Sequence, residues 1–64
     1  MIGSIKWFDI KKGWGFIKSN DREVFVHKSQ VPMDMYAHML KGNKVEFDLY
    51  EVGDKYEARN IKKA

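Results

Sequence analysis

Lys12-Gly13-Trp14-Gly15-Phe16-Ile17 and, a little further on, Val24-Phe25-Val26-His27 decide how this chain folds. Read as β-strands, both alternate with period two. Trp14 and Phe16 fall on one face, Gly15 and Ile17 on the other. In the second stretch Phe25 and His27 share a face, while Val24 and Val26 share the opposite one. The segment Ser19-Asn20-Asp21-Arg22 between them is short, polar and turn-forming, so the two strands are expected to be hairpin neighbours. Isoleucine and valine are the usual filling of a small core. The other face would display Trp14, Phe16, Phe25 and His27 side by side, with Lys6, Lys12, Lys18 and Lys28 near.

A row of flat rings beside positive charges suits unpaired bases, whose faces stack on the rings while the lysines meet phosphates. Gly15 is expected to leave room between two rings for a base or a neighbouring ring to lie flat. The same residues carry a resemblance. Lys6-Trp7-Phe8, Lys12 to Ile17 and Val24 to His27 are similar to the cold-shock domain and its two ribonucleoprotein-type motifs. The similarity continues to Glu57-Ala58-Arg59-Asn60-Ile61, and the combination in this order is specific. It implies an all-β fold: one five-stranded antiparallel barrel of the oligonucleotide-binding type (OB-fold) over residues 1–64. It further implies binding of single-stranded RNA or DNA with low sequence selectivity, and an RNA-chaperone-like role affecting transcription or translation. The candidate contacts are Lys6, Trp7, Lys12, Trp14, Phe16, Phe25, His27, Lys28, Tyr36 and Arg59.

The chain also departs from the family pattern. Asp9 stands where asparagine is usual, and a carboxylate so near the rings would repel phosphate. Trp14 replaces a smaller ring and enlarges the stacking surface. Lys28 replaces an aromatic, exchanging a stacked base for a salt-sensitive phosphate contact. Arg59 replaces a small residue.

Composition sets the bounds. Sixty-four residues make one small domain, which buries only about 60% of its unfolded surface. There is no cysteine, so neither a disulfide nor a thiolate metal site is expected. No apolar run approaches the roughly 18 residues of a membrane span, and Met1 to Lys6 does not read as a signal peptide. A cytoplasmic protein is expected. The net charge of +3 is mild; it matters only because the lysines adjoin the rings. Aromatics make up 14% of the residues, more than so small a core can hide.

Along the chain, Ile2 to Asp9 reads as the first strand. Strict alternation pairs Ile5 with Trp7, whereas the resemblance puts Lys6 and Trp7 on the ligand face together. A bulge would reconcile the two; otherwise Trp7 is a core residue. Ile10 to Gly13 reads as a turn, where Lys12 has the plain alternative of a solvated turn residue. Trp14 and Phe16 would be a second buried layer only if another element covered them, and no helix is to spare. Ser29 to Lys41 is a long connection in which Pro32 opens one short helical turn, with Met35, Met39 and Leu40 partly buried. Tyr36 is either a further stacking ring or a cap on the barrel end. Lys44 to Glu51 alternates Val45, Phe47 and Leu49 inward against Glu46, Asp48 and Tyr50, which puts these acidic residues away from the ligand. Val52 to Lys55 reads as a turn and Tyr56 to Ile61 as the last strand. Ala58 and Ile61 break parity, so a second bulge is expected. Arg59 is either a phosphate contact or a solvated edge charge, and Lys62-Lys63 a frayed basic tail.

The residues offer no activated nucleophile, no carboxylate pair in an apolar setting and no phosphate-cradling loop, so no enzyme, cofactor or small-molecule substrate is expected. His27 and His38 alone do not make a metal site. Lys12 to Ser19 partly matches the octapeptide of the RNA-recognition motif, but that fold's other aromatic motif precedes the octapeptide, whereas Val24 to His27 follows it here, and its two helices have no counterpart. The reading is a monomer that binds single-stranded nucleic acid. The alternative is a protein-interaction module that uses the exposed rings as its patch.

Overall fold

The structure, a computed structural model, describes all 64 residues. Five strands form: β1 (Ile2–Asp9), β2 (Trp14–Ser19), β3 (Arg22–His27), β4 (Lys44–Val52) and β5 (Lys55–Lys63), with 3₁₀ turns at Lys28–Gln30 and Met33–His38. They close in the order β1-β2-β3-β5-β4. This is the all-β, five-stranded barrel of oligonucleotide-binding type that the motifs imply. One seam differs from the antiparallel expectation: β3 and β5 are parallel, with Phe25 opposite Glu57 and Val26 opposite Ala58. The reason is parity. Strands that alternate up and down cannot close a ring with an odd number of members, so at least one pair must run the same way.

The β2–β3 hairpin sets the register of the ring-bearing strands. Asn20 and Asp21 both lie in the left-handed region, at φ 49° and 65°. That geometry belongs to the tight turn whose twist matches its flanking strands, and asparagine and aspartate tolerate it. Phe16 then faces Phe25, and Trp14 faces His27.

Strand β1 carries the expected bulge. Ile5 pairs with Ile17 but Trp7 pairs with Phe16, so Lys6 is the extra residue. Ile5 stays in the core and Trp7 joins the outer face. Gly15 faces inward opposite Phe8, where a Cβ would lie 2.3 Å from the Trp7 carbonyl oxygen and 2.6 Å from Phe8 Cα. The space left by its missing side chain is therefore filled by the β1 backbone and the Phe8 ring, and no base can lie there.

Ile5, Ile17, Val24, Val26, Val45, Phe47, Ala58 and Ile61 fill the barrel, and Val31, Met35 and Met39 join them from the long connection. The short helical turn after Pro32 is present, as a 3₁₀ turn. Leu40 departs from expectation at 62% exposed. Met39 leaves helical geometry at ψ 56°, and the Leu40 N–H turns back to the His38 carbonyl at 2.8 Å, so the buried face does not extend to it. Lys62 and Lys63 are not a frayed tail. They pair with Glu46 and Val45, which prolongs β5. The second bulge is present: β5 advances from Arg59 to Lys62 while β4 covers only Asp48 to Glu46. Asn60 takes the strain at φ 56° and donates its amide to Asp48 Oδ2 at 2.8 Å, returning Ile61 to the core.

Gly15→Ala is expected to destabilise the barrel by about 1–3 kcal/mol, the usual range for overpacking, because the obstacle is backbone. Urea unfolding at equilibrium reads this directly.

Candidate nucleic-acid interface

Trp7, Phe16 and Phe25 are successive register partners on β1, β2 and β3. Their centroids are 5.7 Å and 6.0 Å apart, edge to face. Trp14, one step along β2, lies 4.8 Å from Trp7, 5.9 Å from Phe16 and 6.2 Å from Phe25. Such separations are the favoured ones for aromatic pairs. The four rings thus make one contiguous cluster on the outside of the barrel. Trp7 is 38% exposed, and Trp14, Phe16 and Phe25 are half-buried, partly by one another. They are neither sealed inside nor standing free.

His27 is exposed and lies opposite Trp14. Its Nδ1 accepts the Ser29 backbone N–H at 3.1 Å. The neutral ring therefore carries its proton on Nε2, which is left as an outward donor. Lys12 and Lys28 meet at the same end of the cluster. The Lys28 N–H donates to the Gly13 carbonyl at 2.8 Å, and neither lysine has an ion-pair partner. Asp9 acts on the backbone here. Its Oδ1 accepts the Lys12 N–H at 3.0 Å and its carbonyl accepts the Gly13 N–H at 2.7 Å, which holds the turn.

The opposite end is mixed in charge, with Lys18 and Lys55 standing among Glu23, Asp54 and Glu57. Lys6 is not a free cation, because its ammonium is bound to the Glu23 carboxylate. Glu23 also faces Lys18 across the hairpin. Beyond Phe16 and Phe25 a cavity of about 500 Å³ opens, with Glu23, Asp54 and Glu57 among its walls. Glu46 and Asp48 on β4 are exposed, as the alternation predicts, whereas Glu23 and Glu57 lie beside Phe25. Arg59 stands apart from the four rings; it is clipped to Glu57 at 3.3 Å and lies 4.2 Å over the Tyr50 ring. Tyr36 packs against the core and pairs with none of the four rings.

Comparison with known proteins decides the family. The model of the 'Cold-shock' DNA-binding domain matches residues 1–64. The chain belongs to the cold-shock domain family. Among its relatives, the cold shock-like protein CspC of Bacillus cereus is 41% identical over 64 residues, covering 98% of both chains. The cold shock-like protein of Thermotoga maritima is 41% identical over 63 residues, covering 97% of this chain and 96% of its own. The protein lin-28 homolog of Drosophila melanogaster is 37% identical over 62 residues, 94% of this chain but only 32% of that larger protein. The family is one of nucleic-acid-binding domains, which matches the chemistry of the ring cluster and its basic end.

Sequence reasoning passed over Glu23, although its signal was present: it stands two residues before Phe25 and so on the same face. The role of Asp9 in the turn was legible only as the spacing from a side-chain acceptor to an N–H three residues on.

Asp9→Ala is expected to cost about 1 kcal/mol of stability, the net worth of a typical hydrogen bond, while Asp9→Asn keeps the acceptor and costs less. Thermal unfolding of both variants measures the difference.

Proposed function

We propose that the chain binds single-stranded RNA or DNA with low sequence selectivity. Unpaired bases stack on Trp7, Trp14, Phe16, Phe25 and His27, and Lys12 and Lys28 meet the phosphates. The observation that carries this reading is the four-ring cluster with two unpaired lysines at one end. Base faces of any identity gain from stacking, so selectivity stays low. A duplex keeps its bases stacked on one another and offers them no such surface to exchange for. Binding therefore favours open strands, which supports an RNA-chaperone-like action in the cytoplasm, on transcription or translation, by a binding protein rather than an enzyme. The phosphates are met at the end where Lys12 and Lys28 stand without carboxylate partners.

A face of this size covers about 4–8 nucleotides, the low part of the range for such folds. Titration with a short oligo-dT at low salt is expected to quench the fluorescence of Trp7 and Trp14. Phe16→Ala and Phe25→Ala are each expected to weaken binding about tenfold or more, the loss of one stacked base. With about three phosphates neutralised, log affinity falls against log salt with a slope near −2. Unchanged fluorescence at tens of micromolar oligonucleotide would favour a protein partner for the rings instead.

Glu23→Gln is expected to release the Lys6 ammonium toward phosphate. Affinity at low salt then rises and the salt slope steepens by about 0.7, the contribution of one added contact to a single strand. A slope equal to that of the parent protein would keep Lys6 out of the site.

A further inference from the structure

The row of register partners does not stop at Phe25. Phe25 pairs with Glu57 on β5, and Glu57 pairs with Tyr50 on β4. Trp7, Phe16, Phe25, Glu57 and Tyr50 therefore form one line across all five strands. Glu57 flanks the buried Ala58 and Tyr50 follows the inward Leu49, so both project outward. Tyr50 is 43% exposed. Two strand spacings, about 10 Å, separate it from Phe25 along the surface.

Arg59 completes this place. Its guanidinium lies 4.2 Å from the centre of the Tyr50 ring, and its Nε donates to Glu57 Oε1 at 3.3 Å. The ring behind and the carboxylate beside it hold the plane in position. Of the five N–H donors of a guanidinium only one is used, so the terminal amino groups remain for another acceptor. An arginine fixed in this way has already given up much of its rotamer freedom before any ligand arrives. As an exposed ion pair it is worth little to stability. As a recognition element it is complete, because guanidinium planes stack bases and their edges grip phosphates.

We propose that Tyr50 and Arg59 form a further station of the nucleic-acid track, on the far side of Glu57 from the four-ring cluster. A base stacks on the outer plane of the Arg59 guanidinium, which Tyr50 backs, and the free amino groups of Arg59 meet the adjoining phosphate. Glu57 orients Arg59 through one oxygen, and its negative charge repels the strand that crosses it. This inference rests on the binding reading above, and it adds a prediction the four rings do not make. Strands long enough to reach β4 feel Tyr50 and Arg59; shorter ones do not.

The test uses the whole protein with oligo-dT of about four and about ten nucleotides, lengths within the range of such barrels. Tryptophan quenching reports occupancy of the four-ring cluster in both cases. Tyr50→Ala and Arg59→Ala are expected to weaken the longer strand about three- to tenfold and to leave the shorter within about twofold, the size of one partial stacking contact. Unchanged binding of the short strand also shows that the variants fold. Arg59→Lys keeps the charge without the plane and is expected to recover only part of the loss. Glu57→Gln keeps the Oε1 acceptor that orients Arg59 and removes one opposing charge, so it is expected to tighten the longer strand about two- to threefold. Equal losses at both lengths, or none at either, would overturn the extension while the ring reading stands. Full recovery by Arg59→Lys would overturn the stacking role. If neither length quenches the wild-type protein, the ring reading fails and the extension fails with it.

Discussion

At Lys6 the first strand slips by one residue against the second. Up to Ile5 its odd-numbered side chains point into the barrel; after the slip, Trp7 points out. Without that displacement Trp7 would enter a core already filled by Phe47 and the β-branched residues, and the outer face would lose its link to β1. The slip in turn needs Gly15. Strand β1 runs so close to β2 at this point that the Trp7 carbonyl and the Phe8 ring occupy the place of any side chain there. One missing methyl group on the inner face therefore underlies the arrangement of rings on the outer one.

Charge follows the same surface. The turn held by Asp9 carries Lys12 and touches Lys28, so positive charge gathers beside Trp14 and His27. At the other margin Glu23 and Glu57 flank Phe25, and each carboxylate ties down one cation, Lys6 or Arg59. The two margins thus differ in pairing: lysines without partners at one, carboxylates tied to cations at the other, in a chain whose net charge is only +3. Total charge says little about how such a surface meets a polyanion; the distance of each unpaired cation from the rings says more.

Much of this was readable from residue order. Period-two alternation places Trp14, Phe16, Phe25 and His27 together, and the polar segment at Asn20-Asp21 closes their hairpin. The conflict between Ile5 and Trp7 announces the bulge in β1, and the broken parity of Ala58 and Ile61 announces that in β5. What was not readable depends on partners distant in sequence. Lys6 and Glu23 meet only because two hairpin strands lie beside β1. Arg59 finds Tyr50 only once β4 and β5 are paired. Leu40 looks apolar enough to bury, but a single backbone angle at Met39 turns it out. Lys62 and Lys63 look like a solvated end, yet Glu46 and Val45 offer them a strand edge with open hydrogen-bonding groups. Alternation describes a strand alone; it does not know its neighbours.

The parallel seam between β3 and β5 joins only Phe25 with Glu57 and Val26 with Ala58, whereas every other pair of strands shares more. It thus has the fewest ladder positions of any seam in the barrel, and local opening sets the low end of a protein's stability range. Here the seam runs beneath the outer face, between the third ring and the carboxylate beside it. A ligand that spanned both banks and bound only the closed barrel would add its binding free energy to the closure of this seam.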